Sequence, residues 1–468
     1  MRTQLTKTPY LVLFIVLISI GVGTASALTI TLGGTVDITQ ILNMMGNKIT
    51  NVGTPTQSSD AATKGYVDQS PTTDTLALLG CTTNQIARFD GSVWNCEDDQ
   101  VFFNKNIPLD NTITTIDSNV MDESSITIGL DGLPIISYYE SVTKDLMVVH
   151  CSNSSCSTFD TPTTIDSVGD FGDNSITIGT DGFPVIAYHD ETNGDLVFVH
   201  CTNLTCSNFD TPVTLDSAGI VGEQPSIAIG TDGFPIISYF DGTNGDLKIA
   251  HCTNITCTTF GNITPIDVTD IVGVGSSITI GTDGFAIVAY HDITNVDLMV
   301  AHCTNIACTT FNIPSIVASA GNVGESPSIA IGTDGLPVIS YYSISGGALI
   351  VGHCFNIACS SFDLITTVDT EDDTGFFTAL TIGADGFPVI SYWDGTVSDL
   401  KVVHCTHIGC LTFDPPLRID TAGAVGRFSS INLGTDGLPI ISYLDSSNGA
   451  LKVAKCNNEL CIPNWTRR

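Results

Sequence analysis

Three residue patterns in this chain could do chemistry, and all three recur. A His-Cys step stands at His150, His200, His251, His302, His353 and His404, with a second cysteine five residues after the first. One imidazole and two sulfurs would suit zinc, which takes neutral imidazole and thiolate as ligands. A carboxylate recurs at Glu140, Asp190, Asp241, Asp292, Asp394 and Asp445, with Ser343 in its place in one copy. Carboxylates can carry protons in acid–base catalysis or hold calcium. Directly before them stand Tyr139, His189, Phe240, His291, Tyr342, Trp393 and Leu444. A flat ring beside a carboxylate can serve as a sugar platform, the ring stacking on the apolar sugar face while the carboxylate accepts hydroxyl hydrogen bonds.

Each pattern also has a plainer reading. Fourteen of sixteen cysteines form seven C-x4-C pairs, Cys151/Cys156, Cys201/Cys206, Cys252/Cys257, Cys303/Cys308, Cys354/Cys359, Cys405/Cys410 and Cys456/Cys461, and Cys81 with Cys96 makes an eighth. An even count at fixed spacing in an exported chain reads as disulfides, here set opposite one another across a hairpin tip. Lys455 replaces the histidine in the last copy, so the hairpin does not need imidazole. Disulfides are the expected state, and no metal is expected there. Among the carboxylates, the spacing Asp190, Asn193, Asp195 is not that of a calcium loop. Turn closure is the favoured role, with calcium as the open alternative. The rings point to the side opposite a constant tyrosine at 138, 188, 239, 290, 341, 392 and 443. There they either pack between sheets or meet a ligand. As a ligand site the set is Tyr139, Glu140, His189, Asp190, Phe240, Asp241, His291, Asp292, Tyr342, Trp393, Asp394 and Asp445.

A repeat positions all of these residues. Asp-Gly recurs at Asp131, Asp181, Asp232, Asp283, Asp334, Asp385 and Asp436, at a spacing of 50 and then 51. Each copy reads as four short strands: 125–129, 134–138, 146–151 and 161–166 in the first. The runs are β-branched and bounded by Gly, Asn, Asp or Pro, and Asp-Gly supplies the positive φ of a tight hairpin. The second strand is apolar throughout, so both of its faces must be covered. Seven such units predict an all-β, seven-bladed β-propeller, with a linear solenoid as the competing arrangement. The ends discriminate between them. The last copy lacks a fourth strand, and Thr114-Thr115-Ile116-Asp117-Ser118 repeats the sequence of one before the first copy. That orphan strand is expected to complete the last blade and close the ring.

The propeller is assigned to residues 101–468. Ahead of it, Arg2 and Lys7, an apolar run and Ala25-Ser26-Ala27 make residues 1–27 a secretory signal peptide, too short to span a bilayer. Residues 28–80 lack the repeat and carry too little apolar surface for a core, so they read as a stalk or oligomer-forming segment. Residues 81–100 form a cysteine-bridged linker module. A net charge of −34 repels phosphate, which excludes nucleic acid and an electrostatic grip on anionic lipid. The mature chain is expected outside the cell, with no membrane insertion after signal removal.

The propeller repeats resemble the Ile-Ser-Tyr-x-Asp family of secreted bacterial and archaeal surface proteins, which is distantly related to sialidase-like propellers. Met45-Gly46-Asn47-Lys48-Ile49-Thr50-Asn51-Val52 and Asp60-Ala61-Ala62-Thr63-Lys64-Gly65-Tyr66-Val67-Asp68 resemble the stalk repeat of phage tail fibres. That resemblance implies a homotrimer through residues 28–80. The segment Gly80 to Cys96 is similar to a short cysteine-bridged module found after such stalks.

Sialidase chemistry needs several arginines to clamp a carboxylate, and beyond residue 100 only Arg418, Arg427, Arg467 and Arg468 occur. No nucleophile elbow, zinc-protease helix or phosphate loop is present. No catalytic residue or cofactor is assigned, calcium apart. Glycosylation sequons stand at Asn153, Asn203, Asn254, Asn262 and Asn464, three of them in the clipped hairpins and expected to be exposed. The sequence therefore predicts a surface recognition or adhesion protein that binds a glycan or surface polymer at the propeller rim. A purely structural fibre head is the alternative, and a secreted glycan hydrolase or lyase the third reading.

Overall fold

The computed structural model describes residues 85–89, 94–98 and 111–462, apart from residues 121, 262 and 372. The chain divides into two units, Met1–Asn104 and Lys105–Arg468. In the first, Gln85–Phe89 pairs antiparallel with Trp94–Asp98, Ala87 opposite Cys96. The expected signal peptide and stalk and Cys81 lie outside the described residues, and with Cys81 its expected bridge to Cys96.

The second unit consists of seven four-stranded antiparallel sheets. A complete blade, the third, runs Val221–Ile229, Pro235–Asp241, Asp246–His251 and Thr264–Asp267. First strands of successive blades lie side by side around the axis. Second strands are buried along nearly their whole length, as their apolar sequence requires. Seven hydrophobic clusters fill the fold, each shared by two neighbouring blades. No blade buries its own faces.

The ring closes as the sequence predicts. Thr112–Asp117 pairs antiparallel with Ala450–Lys455, Thr114 opposite Val453, and becomes the outermost strand of blade seven. The cluster at this seam joins Ile116, Leu451 and Val453 to Ile126, Ile136 and Tyr138 of blade one. Around the axis, a serine hydroxyl on the first strand of six blades accepts a backbone N–H from the next blade, and Ala379 takes the serine's place in blade six. Ile126 N donates to Ser430 Oγ at 3.2 Å across the seam, as Ile227 N does to Ser175 Oγ at 3.3 Å elsewhere.

Two details depart from the sequence reading. First strands in blades two to seven begin well before the expected start, at Phe171 in blade two and Val221 in blade three, and are irregular there, with register shifts after Val221 and Glu223 in blade three. Gly222 (φ 90°) begins this irregular stretch, and a Cβ there would lie 2.6 Å from the Leu196 backbone of the preceding blade. Only glycine fits that crossing.

The second departure is the placement of the disulfides. All seven repeat pairs are bonded: Cys151–Cys156, Cys201–Cys206, Cys252–Cys257, Cys303–Cys308, Cys354–Cys359, Cys405–Cys410 and Cys456–Cys461, with Cα separations of 4.7–5.0 Å. The second cysteine of each pair, however, is not on a strand facing the first. Cys156, Cys206, Cys257, Cys308, Cys359, Cys410 and Cys461 all sit in the connecting turn, fully buried, in the left-handed region at φ 47–55°. Each N–H donates to the carbonyl three residues earlier, as Cys156 N does to Asn153 O at 3.0 Å and Cys410 N to His407 O at 2.8 Å. The ladder instead sets Cys151 opposite Phe159 and Cys201 opposite Phe209. The hairpin tip is thus wider than four residues. The positive φ folds the second cysteine back into it, and each bridge closes a turn inside the tip rather than joining facing strands.

Candidate functional site

The antiparallel order puts the start of each first strand and the end of each second strand at the same end of the ring. The Asp-Gly turns and clipped hairpins occupy the other end. There the histidines tie the two features together: His200 Nε2 lies 2.7 Å from Asp181 and its Nδ1 2.8 Å from Asp210, while Lys455 Nζ reaches Asp436 at 2.7 Å in the last blade. The sulfurs that a zinc site would use are held in disulfides, and among the described residues no group of three His, Cys, Asp or Glu side chains is arranged around a metal position. The hairpin asparagines Asn153, Asn203 and Asn254 are half-buried rather than exposed. Their Nδ2 atoms donate to Ser157, Ser207 and Thr258 within the loop, which draws the amides inward.

At the other end, the recurring carboxylates are buried and close the turns. Asp190 accepts from Thr192 N at 3.0 Å, Asn193 N at 3.1 Å and Asn193 Nδ2 at 2.7 Å. Asp241, Asp292 and Asp445 bind the matching asparagines in the same way. Asp394 caps Thr396 and Val397, and Glu140 accepts from Thr143 N and Oγ1, both at 2.6 Å. The neighbouring rings divide into two sets. Tyr139, Phe240 and Trp393 are partly exposed, whereas His189, His291, Tyr342 and Leu444 are buried. Tyr139 Oη donates to Asp170 at 2.7 Å, and Tyr342 Oη donates to Asp373.

Facing these rings across the ladder are residues that the sequence reading passed over. Glu223 opposes Phe240, Val274 opposes His291, Glu325 opposes Tyr342, Phe376 opposes Trp393 and Arg427 opposes Leu444. Asp122 and Asp173 hold the corresponding sequence positions in blades one and two. The next position varies too: Glu123, Gln224, Gly275, Ser326, Phe377 and Phe428. The signal was present. These two positions change from copy to copy between a recurring Val-Gly and a recurring Ser-Ile, but they fall in the irregular stretch where alternation cannot be counted.

Together they make an asymmetric axial mouth. A cavity of about 310 Å³ lies on the axis, lined by Glu123, Gln224, His291, Glu325, Phe377 and Phe428 among others. Blades six and seven supply an aromatic sector: Phe377 and Phe428 lie 4.3 Å apart between centroids, and Phe376 lies 6.0 Å from Trp393. The Arg427 guanidinium sits 5.3 Å from the Trp393 ring, 5.4 Å from Phe377 and 5.5 Å from Phe428. Such contacts are cation–π interactions. Blades one to three supply an acidic sector. Burial, with Asp173 and Asp122 close by, pushes the Glu123 carboxyl well above its usual range. Asp173 is pushed up to about 7, first by burial and then by Asp122, Glu191 and Glu223, against the pull of a 2.8 Å bond from Gln224 N. Burial lowers His189 and His291, favouring neutral imidazole. In both the Nε2 atom has no hydrogen-bond partner among the described residues.

The sequence matches no family model and no curated protein. Solved structures of similar shape include a protein of unknown function from Dyadobacter fermentans, with TM-score 0.44 and 11% identity over 73% of this chain and 98% of that one. The NanB sialidase from Streptococcus pneumoniae gives TM-score 0.44 and 10% identity, covering 80% and 76% respectively. The intramolecular trans-sialidase from Ruminococcus gnavus gives TM-score 0.45 and 12% identity, covering 76% and 99%.

Proposed function

We propose that this is a secreted surface or appendage-associated recognition protein whose axial mouth binds carbohydrate. The observation that carries the reading is the asymmetry of the mouth. Where a structural ring needs one residue type in every blade, blades six and seven present Phe376, Phe377, Trp393 and Phe428, while blades one to three present carboxylates. Aromatic faces beside hydrogen-bonding groups, around a cavity of about 310 Å³, suit one or two sugar rings. The turn carboxylates Glu140, Asp190, Asp241, Asp292, Asp394 and Asp445 act in this site as supports, fixing the loops that present Tyr139, Phe240 and Trp393. Seven disulfides support an oxidising, extracellular setting. Residues 28–80 are proposed as the stalk that gathers such heads into a trimer.

A glycan array probed with the wild-type chain, Trp393→Ala and Phe240→Ala tests the reading. Glycan binding that disappears in both variants supports it, and binding that survives both removes these rings from the site. A second reading, glycan hydrolysis or lysis, draws on two neighbouring carboxyls, Glu123, raised well above its usual range by burial, and Asp173, pushed up to about 7, since a general acid needs a raised carboxyl. Turnover abolished in Asp173→Asn, with binding intact, would favour it.

A further inference from the structure

Beside the axial cavity a second one of about 360 Å³ opens between blades two and three. Asp173, Glu191 and Glu223 line it together with Phe240, Ile220 and Val274. None of the three carboxylates forms an ion pair with a lysine or arginine among the described residues, and the nearby Lys144 is committed to Asp170. In three other places in the ring, buried carboxylates receive a cation from the chain itself. Lys248 lies 2.6 Å from Asp241 and 3.3 Å from Asp216, Lys401 2.7 Å from Asp369, and Lys452 2.8 Å from Asp445. The carboxylates of this cavity have no such partner.

A second feature points to a ligand. His189 is 6% exposed and lines the same cavity, and its Nε2 has no hydrogen-bond partner among the described residues. A buried imidazole nitrogen without a partner is expensive unless something completes it. In the neutral form it offers either a donor or an acceptor to a hydroxyl. Phe240 stands directly across the ladder from Glu223, so a ring face and a carboxylate border the same space.

The charge decides the class of ligand. Burial raises Asp173 and Glu223, and the more exposed Glu191 is raised by partial burial against the pull of Lys144; neighbouring carboxylates raise all three further, Asp122 acting on Asp173, Asp170 on Glu191 and Asp241 on Glu223. A neutral sugar would leave that repulsion in place, and a uronate or sulfated sugar would add to it. An ammonium group discharges it and forms charge-assisted hydrogen bonds with the same oxygens.

We propose that the cavity between blades two and three is a subsite for an amino sugar with a free, protonated amine, gripped by Asp173, Glu191 and Glu223, with its ring against Phe240 and a hydroxyl at His189 Nε2. This rests on the carbohydrate reading above and specifies the sugar.

Calorimetric titration of the full chain with equal-length oligomers of glucosamine, N-acetylglucosamine and glucose tests the assignment. The free-amine oligomer is expected to bind about tenfold or more tighter than the other two, a preference that shrinks in high salt. Glu223→Gln and Asp173→Asn should each abolish most of that preference while far-UV circular dichroism stays that of the wild type. Equal affinity for all three oligomers, or a preference that survives both variants, overturns the amine assignment and leaves the carbohydrate reading standing. If no oligomer binds and no glycan on an array binds either, the carbohydrate reading fails and takes the subsite with it. A lysine-rich peptide that binds more tightly than the free-amine oligomer, with the same dependence on Glu223, overturns the sugar assignment in favour of a basic protein partner.

Discussion

Tyr138 donates a 2.9 Å hydrogen bond to Asp117, and that bond spans the seam of the ring. The same latch holds five of the six internal joints: Tyr188 to Asp166, Tyr239 to Asp216, Tyr290 to Asp267, Tyr392 to Asp369 and Tyr443 to Asp420, at 2.6–2.8 Å. Asp117 belongs to the first strand of the propeller, so the seam is made by the same interaction as these five internal joints. Blade five lacks the carboxylate, because the preceding fourth strand ends at Ala318.

Tyr138→Phe should therefore destabilise the ring by about 2 kcal/mol, the usual worth of a hydrogen bond to a charged group. Tyr341→Phe, with no carboxylate to lose, should change stability by much less. Urea denaturation followed by tryptophan fluorescence compares them, and equal effects would show that the latch contributes nothing.

The ring itself was legible in the sequence. Its period is marked by Asp-Gly turns and its missing strand sits at the other end of the array, so closure follows from counting. The mouth was not legible. Gln224, Ser326, Phe377 and Phe428 adopt positive φ of 48–51°, which breaks strand alternation just where side chains turn toward the axis. Periodicity reads regular strands, and these residues lie on irregular ones. The hairpin tips failed for the same reason: the pairing of the cysteines could be read from their spacing, but the left-handed turn at Cys156 and its six counterparts could not. The turn carboxylates were legible as turn closers because an asparagine follows several of them at +3, and the structure pairs the two.

Met299→Lys should stabilise the protein. Lys248, Lys401 and Lys452 occupy this position in their own blades and bridge two buried aspartates. In blade four, Met299 lies at the same register with Asp267 and Asp292 at the corresponding sites. A lysine there should add about 1 kcal/mol at neutral pH, since the carboxylates are already buried and the ammonium meets both. A raised thermal midpoint checks it, and an unchanged or lower one would mean that the stem of the lysine cannot reach.

Each disulfide closes a loop whose cysteines are five apart in sequence. The chain-entropy relation gives roughly 2 kcal/mol for so short a loop. Cys252→Ser with Cys257→Ser should lower stability by about that amount and leave the ring closed, because Cys252 still pairs through its backbone with Phe260. Limited proteolysis should then cut within 253–256 and nowhere else. Cleavage spreading to neighbouring blades would show that the clips hold more than their own hairpins.

Asp173 sets the last expectation, through pH. Its ordinary value is 3.8, and in the folded protein it is pushed up to about 7 by burial and by Asp122, Glu191 and Glu223. Between those two values the folded state holds more protons than the unfolded one. Its contribution to stability is therefore present at low pH and is lost as pH rises toward 7. His189 and His291 work the other way, because burial lowers them and the unfolded chain takes up their protons first below pH 6.5. The difference between wild type and Asp173→Asn removes that background, since the histidines are common to both. Asparagine keeps an oxygen for the Gln224 N–H, but it carries no charge and relieves Glu123. The variant should melt about 3 °C higher than wild type at pH 8, with the gap closing as pH falls toward 5. A gap that stays constant over that range would mean that Asp173 does not titrate there and that the acidic side of the mouth is solvated like an open surface.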